Sequence, residues 1–226
     1  MTDGSNEASM SFEERKRRAH KLVKEDNYVG AFAEFCQLYL ANPKDVEIIK
    51  ICSFLLDRII EGNYDFEPQT AEQFIFRGIS KFYKKEYEAS INDFDKALSI
   101  NSKLDYALKC RAFSLTSLKK YSLAIKELEK AIQIKPTGEY FDDLAENYSR
   151  IGDIKSALIY HEKAVANSPD EARLWHNYAT QLGECGQIEK AISMFDRAIE
   201  LFPLYEDALH DRQYYSNLLT KNKNDR

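Results

Sequence analysis

Apolar residues in the second half of the chain recur at i, i+3, i+4 and i+7, stop at a short polar turn, and resume on the same period. In one such pair Phe141, Leu144, Ala145 and Tyr148 form the first stripe and Ala157, His161 and Ala164 the second, with Gly152-Asp153 between them. Each stripe predicts an amphipathic helix, and the tight turn predicts that the two run antiparallel. The pattern then repeats. Reading back from Pro203 gives Trp175, Tyr178, Ala179, Leu182, Ala191, Phe195 and Ala198, and reading back from Pro136 gives Leu108, Arg111, Ala112, Leu115, Ala124, Leu128 and Ala131. The first-named pair closes on Pro169. A fourth copy, Phe74, Arg77, Gly78, Lys81, Ser90, Phe94 and Ala97, has Ser102 where the others have proline. The three prolines stand 33 and 34 residues apart, so the unit is an internal repeat of about 34 residues.

The small residues Gly78, Ala112, Ala145 and Ala179 fall where two helices must approach closely, and the larger residues beside them fill the groove so formed. Proline closes each unit because it cannot sit inside a continuing helix. A single helix pair has too little core to stand alone, so stacking of units is obligatory. The expected fold is all-α, with regular units over 71–104, 105–137, 138–171 and 172–205. Residues 206–226 read as a capping helix, with Arg212, Gln213 and Ser216 in place of apolar template residues, and a fraying end.

The N-terminal part is less regular. Residues 1–11 are small and polar, without periodicity, and read as a flexible tail. Residues 12–45 predict a degenerate helix pair: Ala31, Phe35, Leu38 and Pro43 are in place, but Arg15 and Arg18 occupy packing positions. Residues 46–70 predict a single apolar helix and a loop, because Val46, Ile48, Ile49, Ile51, Phe54, Leu55, Leu56, Ile59 and Ile60 are followed by the turn-rich stretch 62–68. Such a helix is normally buried on more than one side, or else offers a face to a partner or a second copy of the chain.

The repeated residues resemble the tetratricopeptide repeat family, whose W-x2-L-G-x2-Y…A-x3-F…P pattern they follow over residues 71–205. The resemblance implies a right-handed superhelix in which the first helix of each pair lines a concave face, and ligands that are peptide segments lying in it. One implied inner row is Ile75, Lys109, Asp142, His176 and His210; a second is Phe76, Cys110, Asp143, Asn177 and Asp211; a third is Ile79, Phe113, Glu146, Thr180 and Tyr214. Glu72, Tyr106, Glu139, Arg173 and Asp207 flank them.

By these rows the N-terminal end of the groove is apolar and aromatic (Ile75, Phe76, Ile79, Phe82, Tyr83, Tyr106, Phe113) and its middle is acidic (Glu139, Asp142, Asp143, Glu146). The expected ligand is a protein or peptide segment with apolar anchors and a basic or amide-rich stretch. The competing expectation is that Ile75, Phe76 and Ile79 bury the 45–61 helix and that the acidic run is a solvated face. The family's chaperone-tail binders clamp a terminal carboxylate with cations; here the places after Lys109 hold Phe113, Asp143, Arg173 and Asn177, and the aspartate would repel that carboxylate. A groove for extended apolar segments, as in the family's secretion-system chaperones, is compatible with the fold alone.

Composition narrows the chemistry. The chain has 226 residues, 44% of them hydrophobic, with only eight Gly and five Pro, which suits helices and a real core. A net charge of −5 argues against nucleic-acid and anionic-membrane partners. Locally, helix 12–24 sets Arg15, Lys16, Arg17, Arg18, Lys21 and Lys24 against Glu13 and Glu14, a charge run that reads as a solvated face or a contact for an acidic partner. Cys36, Cys52, Cys110 and Cys185 form no close pair and read as buried, reduced thiols. His176 and His210 share a row near Asp142, Asp143, Asp207 and Asp211 and are weighed as metal ligands against ordinary surface histidines; His161 reads as a core filler.

The N-terminus has neither a basic nor an apolar leader segment, and no apolar stretch approaches a bilayer span, so a cytoplasmic protein is expected. Asn147-Tyr148-Ser149 matches a glycosylation acceptor but carries little weight without a secretory signal. No phosphate-binding loop, zinc-protease or serine-hydrolase motif occurs, so neither catalysis nor a cofactor is expected. The functional expectation is a non-enzymatic adaptor, with an oligomerising protein using the 45–61 helix, or a chaperone-like binder of extended apolar segments, as alternatives.

Overall fold

A computed structural model describes residues 11–41, 46–61 and 67–224. The expected tail over 1–10, Pro43 and most of the turn-rich stretch at 62–66 lie outside them. Among the described residues there are twelve helices and no strand: α1 Phe12–Lys24, α2 Tyr28–Ala41, α3 Val46–Glu61, α4 Ala71–Tyr83, α5 Tyr87–Ile100, α6 Asp105–Ser117, α7 Tyr121–Ile134, α8 Gly138–Arg150, α9 Ile154–Asn167, α10 Ala172–Glu184, α11 Ile188–Leu201 and α12 Glu206–Asn224. No helix among them is long and apolar enough to cross a membrane.

Local chemistry sets where these helices stop. Asp26, Lys85, Lys119, Gly152 and Gly186 end α1, α4, α6, α8 and α10 in left-handed backbone, with φ of 55, 63, 59, 83 and 77°. The next residue in each case donates its N–H to a carbonyl five residues back, Asn27 to Leu22, Glu86 to Lys81, Lys120 to Leu115, Asp153 to Tyr148 and Gln187 to Leu182, at 2.8–3.0 Å. This closure satisfies carbonyls that the helix end would otherwise leave open. The partner helices α5, α7, α9 and α11 end on Asn101, Lys135, Ser168 and Phe202, with φ of −143, −146, −137 and −138°, extended in all but Ser168, whose ψ is 70°. Proline follows three of them and favours that extended backbone; Ser102 follows the fourth, and the geometry is the same.

The chain divides within α6 into two compact units, residues 1–114 and 115–226. In the first, α1 packs on α2, α3 lies against both α2 and α4, and α4 pairs with α5. Its core holds Phe32, Phe35 and Leu38 of α2, Ile48, Cys52, Leu55 and Ile59 of α3, Ile75 and Phe76 of α4, and Phe94 of α5. The Phe32 and Phe76 rings meet edge to face at 5.9 Å. Ile75 and Phe76, expected to begin the groove, are therefore core residues that bury α3. Of the α3 side chains, Leu55 is fully buried and Phe54 is 51% exposed.

Arg15 and Arg18, the misfits of the degenerate pair, both turn onto the buried Glu34 of α2, at 2.8 and 3.2 Å. At the place of Arg15 the regular copies hold Phe74, Leu108, Phe141 and Trp175, whereas the place of Arg18 is arginine in two of them, and Arg77 there pairs likewise with the buried Asp93 at 2.8 Å. Cys36 and Cys52 adjoin in the core; burial, and then the neighbouring thiol, pushes Cys36 well above the usual thiol range. Cys185 departs from the expected burial and is exposed.

In the second unit α7, α8, α9, α10, α11 and α12 each pack on the next, and α10 also touches α8 and α12. Ala157, Ala164, Ala179, Ala191 and Ala198 are fully buried where these helices close on each other. α12 docks through Ala208 and Tyr215, the latter stacked on Phe195 at 5.7 Å. The second helices of successive pairs carry carboxylates at 95, 129, 162 and 196. Asp95 pairs with Arg111 within the first unit. In the second unit Tyr148 donates to Glu129 at 3.4 Å and Arg212 to Asp196 at 2.9 Å.

Candidate functional site

Each unit has a surface recess lined by first-helix residues of its regular repeats. In the first unit a cleft of about 100 Å3 lies among Ile79, Phe82 and Tyr83 of α4, Phe94 of α5 and Tyr106, Lys109, Cys110 and Phe113 of α6. Five rings and two aliphatic or thiol side chains make it an apolar slot. Its single cation, Lys109, is buried, with its ammonium 5.1 Å from the centre of the Phe113 ring. Tyr83 stands at the rim, 76% exposed. Tyr106, Lys109 and Phe113, expected from their rows, do come together here.

In the second unit a larger recess of about 480 Å3 is lined by Asp142, Glu146, Ser149 and Arg150 of α8, His161 of α9, and His176, Asn177, Thr180, Gln181 and Glu184 of α10. Its floor is Asp142, only 4% exposed. A buried carboxylate needs partners, and this one has three. His161 donates from Nδ1 to Oδ1 at 3.1 Å, while Arg173 Nη1 and Asn177 Nδ2 both donate to Oδ2 at 2.8 Å. An ionised carboxylate only accepts, which assigns the His161 proton to Nδ1. His161 thus does more than fill the core: it ties α9 to α8, with its ring stacked on Tyr178 at 6.1 Å.

Two of the four carboxylates expected to make the groove middle acidic are engaged by cations or amides. Asp142 faces a guanidinium, an imidazole and an amide, and Glu146 accepts from Arg150 at 2.6 Å, a bond that holds the guanidinium protonated more firmly than usual. Glu184 and the amides of Asn177 and Gln181 give the rest of the recess a mixed donor and acceptor character. Of the sequence-predicted residues, Asp142, Glu146, His176, Asn177 and Thr180 line it. Arg173 reaches the Asp142 carboxylate, whereas Asp143, half-buried, is not part of the lining.

The rows diverge on α12. Asp211 accepts from His176 Nε2 at 3.0 Å and pairs with His210 Nδ1 at 3.1 Å. The His210 side chain is 83% exposed and Tyr214 is 57% exposed, and neither lines the recess. Among the described residues no three His, Cys, Asp or Glu side chains gather as metal ligands. Sequence reasoning missed Ser149, Arg150, Gln181 and Glu184. Arg150 and Glu184 lie one helical turn beyond Glu146 and Thr180 on the same faces, so continuing the third row by four residues finds them.

Comparison with known proteins places this geometry. Family models for the tetratricopeptide repeat match residues 111–137 and 162–193. The chain is similar to anaphase-promoting complex subunit 7 of Dictyostelium discoideum, 25% identical over 183 residues, which is 80% of this chain and 30% of that protein. It therefore spans less than a third of that curated relative. Among solved structures, a thermophilic TPR protein of Thermus thermophilus superposes with a TM-score of 0.59 at 12% identity, over 91% of this chain and 98% of that one. YrrB, a TPR protein with an unusual peptide-binding site, superposes with a TM-score of 0.56 at 20% identity, over 86% and 97%. At these identities the structural likeness establishes the fold.

Proposed function

We infer, for a chain that belongs to the tetratricopeptide repeat family, a non-enzymatic adaptor that holds an extended segment of a partner protein against its first helices. The observation that carries this reading is the α8–α10 recess. Its volume lies in the range of sites that hold ligands, and its polar groups are fixed by one another rather than by solvent. Asp142 holds the Asn177 amide in one orientation, so a peptide meets a donor and acceptor set without first ordering it.

The chemistry of the recess points to main-chain recognition by the Asn177 and Gln181 amides, with a basic or amide side chain directed at Glu184. The cleft at Phe113 suits an apolar anchor, and its Tyr83 rim would close over one. Affinity capture followed by an overlapping-peptide array of each captured protein tests this. Asn177→Ala should weaken a segment held in the recess about tenfold, and Phe113→Ala one anchored in the cleft by the same factor, which corresponds to roughly 1.4 kcal/mol. Segments that bind both variants as they bind the wild type would sink the reading.

The similarity to a subunit of the anaphase-promoting complex favours a second, compatible reading, in which the bound segment belongs to another subunit of a stable assembly. Co-purification at constant stoichiometry through size exclusion distinguishes it from transient capture.

A further inference from the structure

The basic run of α1 separates into two faces. Arg15 and Arg18 turn toward α2 and are held by Glu34, Arg18 with its side chain 42% exposed. The other cations stand outward along a shallow surface recess lined by Glu13, Lys16, Arg17, His20, Lys21 and Lys24. Arg17, His20, Lys21 and Lys24 are all exposed. The row is ordered from beneath: the Ser11 capping box with Glu14 fixes the start of the helix, and the His20 ring packs edge-on against Phe35 at 5.4 Å while its Nδ1–H donates to the Lys16 carbonyl at 2.8 Å. Its outward ion pairs are long and solvated, Lys16 to Glu47 at 3.8 Å and Lys21 to Glu25 at 3.7 Å. Such pairs are worth little, and another carboxylate displaces them at small cost.

We propose that this outward face of α1 docks an acidic peptide segment, separately from the recesses described above. Cations on it recur at i, i+4 and i+7 (Arg17, Lys21 and Lys24), steps of about 6 and about 4.5 Å along the axis, and Lys16 stands about 12 Å from Lys24. Alternate side chains of an extended peptide advance about 6.7 Å. A segment with acidic residues at every second position therefore meets Arg17 and Lys21 in register, and the long, flexible Lys24 side chain spans the remaining difference of about 3 Å. Glu13 repels such a ligand at the N-terminal end and confines it to the stretch from Lys16 to Lys24.

The same observations disfavour other anions. A long polyanion feels the whole chain, whose net charge is −5, whereas a short peptide feels only charges within a Debye length of about 10 Å at 0.1 M salt. The row also lacks the exposed apolar residues that would insert into a lipid surface.

The test is fluorescence anisotropy of a labelled peptide of alternating Glu and Gly, about ten residues long, titrated with the full chain. Arg17→Glu/Lys21→Glu/Lys24→Glu should lower its affinity at least about tenfold, and raising salt from about 50 to 300 mM should weaken wild-type binding comparably, as expected of a charge-driven contact. Circular dichroism checks the helix, and Lys21→Ala/Lys24→Ala, which introduces no new charge, should give a smaller loss in the same direction. Asn177→Ala should bind this peptide as the wild type does, which separates the outcome from that of the recess. Equal affinity of the wild type and both α1 variants overturns the proposal. So does tighter binding of a short duplex DNA or of phosphatidylserine vesicles than of the peptide.

Discussion

Gly78 of α4 lies so close to the ring of Phe94 on α5 that a Cβ on the glycine would stand 2.6 Å from Phe94 Cε1. Both residues are buried, so the ring has little room to give way. Gly78→Ala should cost about 1–3 kcal/mol through overpacking, even though alanine is the better helix former. A leucine at 94 removes the ring atoms that the new methyl group would meet. Gly78→Ala/Phe94→Leu should therefore recover part of the loss, and the coupling can be read from a double-mutant cycle in urea denaturation.

That pair also shows why the fold was legible in the sequence. Close helix approach demands a small residue on one side and a matching volume on the other, and those demands repeat with the period of the structure. The turns were less legible. Gly152 and Gly186 mark left-handed positions openly, but Lys85 and Lys119 take the same backbone with no local preference for it, and only the 34-residue register reveals them. The candidate site was legible by row and obscure in its charge. Asp142 looked like an open anion because its partners, His161, Arg173 and Asn177, lie 19, 31 and 35 residues away on other helices. Composition sees the carboxylate and not the donors that surround it.

Lys119, with φ of 59°, sits in a region that costs an L-residue roughly 1–2 kcal/mol and glycine almost nothing. Lys119→Gly should raise stability by about 0.5–1 kcal/mol after the added flexibility of the unfolded chain is counted. Lys85→Gly, at φ of 63°, should behave alike. Thermal unfolding of each single variant and of the double checks the direction, and the two gains should add. A loss in either variant would show that the lysine side chain contributes more than its backbone costs.

The neighbours Phe54 and Leu55 of α3 separate packing from association. Leu55 is fully buried, so Leu55→Ala should cost about 2–5 kcal/mol at any protein concentration. Phe54 is half exposed, with the Arg58 guanidinium 5.4 Å from its ring centre. If the chain self-associates through α3, Phe54→Asp should convert the oligomer to monomer in light scattering while leaving the circular dichroism unchanged. A wild-type chain that is monomeric at every concentration excludes that use of the helix.

At the N-terminus of α9, Asp153 accepts from the Ser156 hydroxyl at 2.7 Å and from the Ser156 backbone N–H at 3.1 Å. These bonds, the hydroxyl first, hold its carboxyl below the usual range. Because the folded value is depressed, the contribution is fully present above the unfolded value of about 3.9 and fades as pH falls through the lower folded one. Asp153→Ala should therefore melt earlier than the wild type at pH 7, with the difference shrinking below about pH 4. A gap in melting temperature that stays constant down to about pH 2 would assign the effect to lost packing.

Asp142 and Asn177 couple stability to recognition. Asp142→Ala strands the His161 N–H in an environment where that side chain is only 6% exposed, and an unsatisfied buried donor costs about 1–3 kcal/mol. The same change releases the Asn177 amide, so the recess should lose its fixed donor set and bind its segment more weakly than the stability loss alone predicts. Arg173→Ala removes the half-exposed partner instead, and an ion pair of that exposure is worth about 1 kcal/mol or less. Urea denaturation and peptide affinity measured together on Asp142→Ala, Arg173→Ala and Asn177→Ala decide the matter. Asp142→Ala should fall on both axes, Asn177→Ala mainly on affinity, and Arg173→Ala on neither by much; affinity unchanged in Asp142→Ala would separate the buried network from the recess above it.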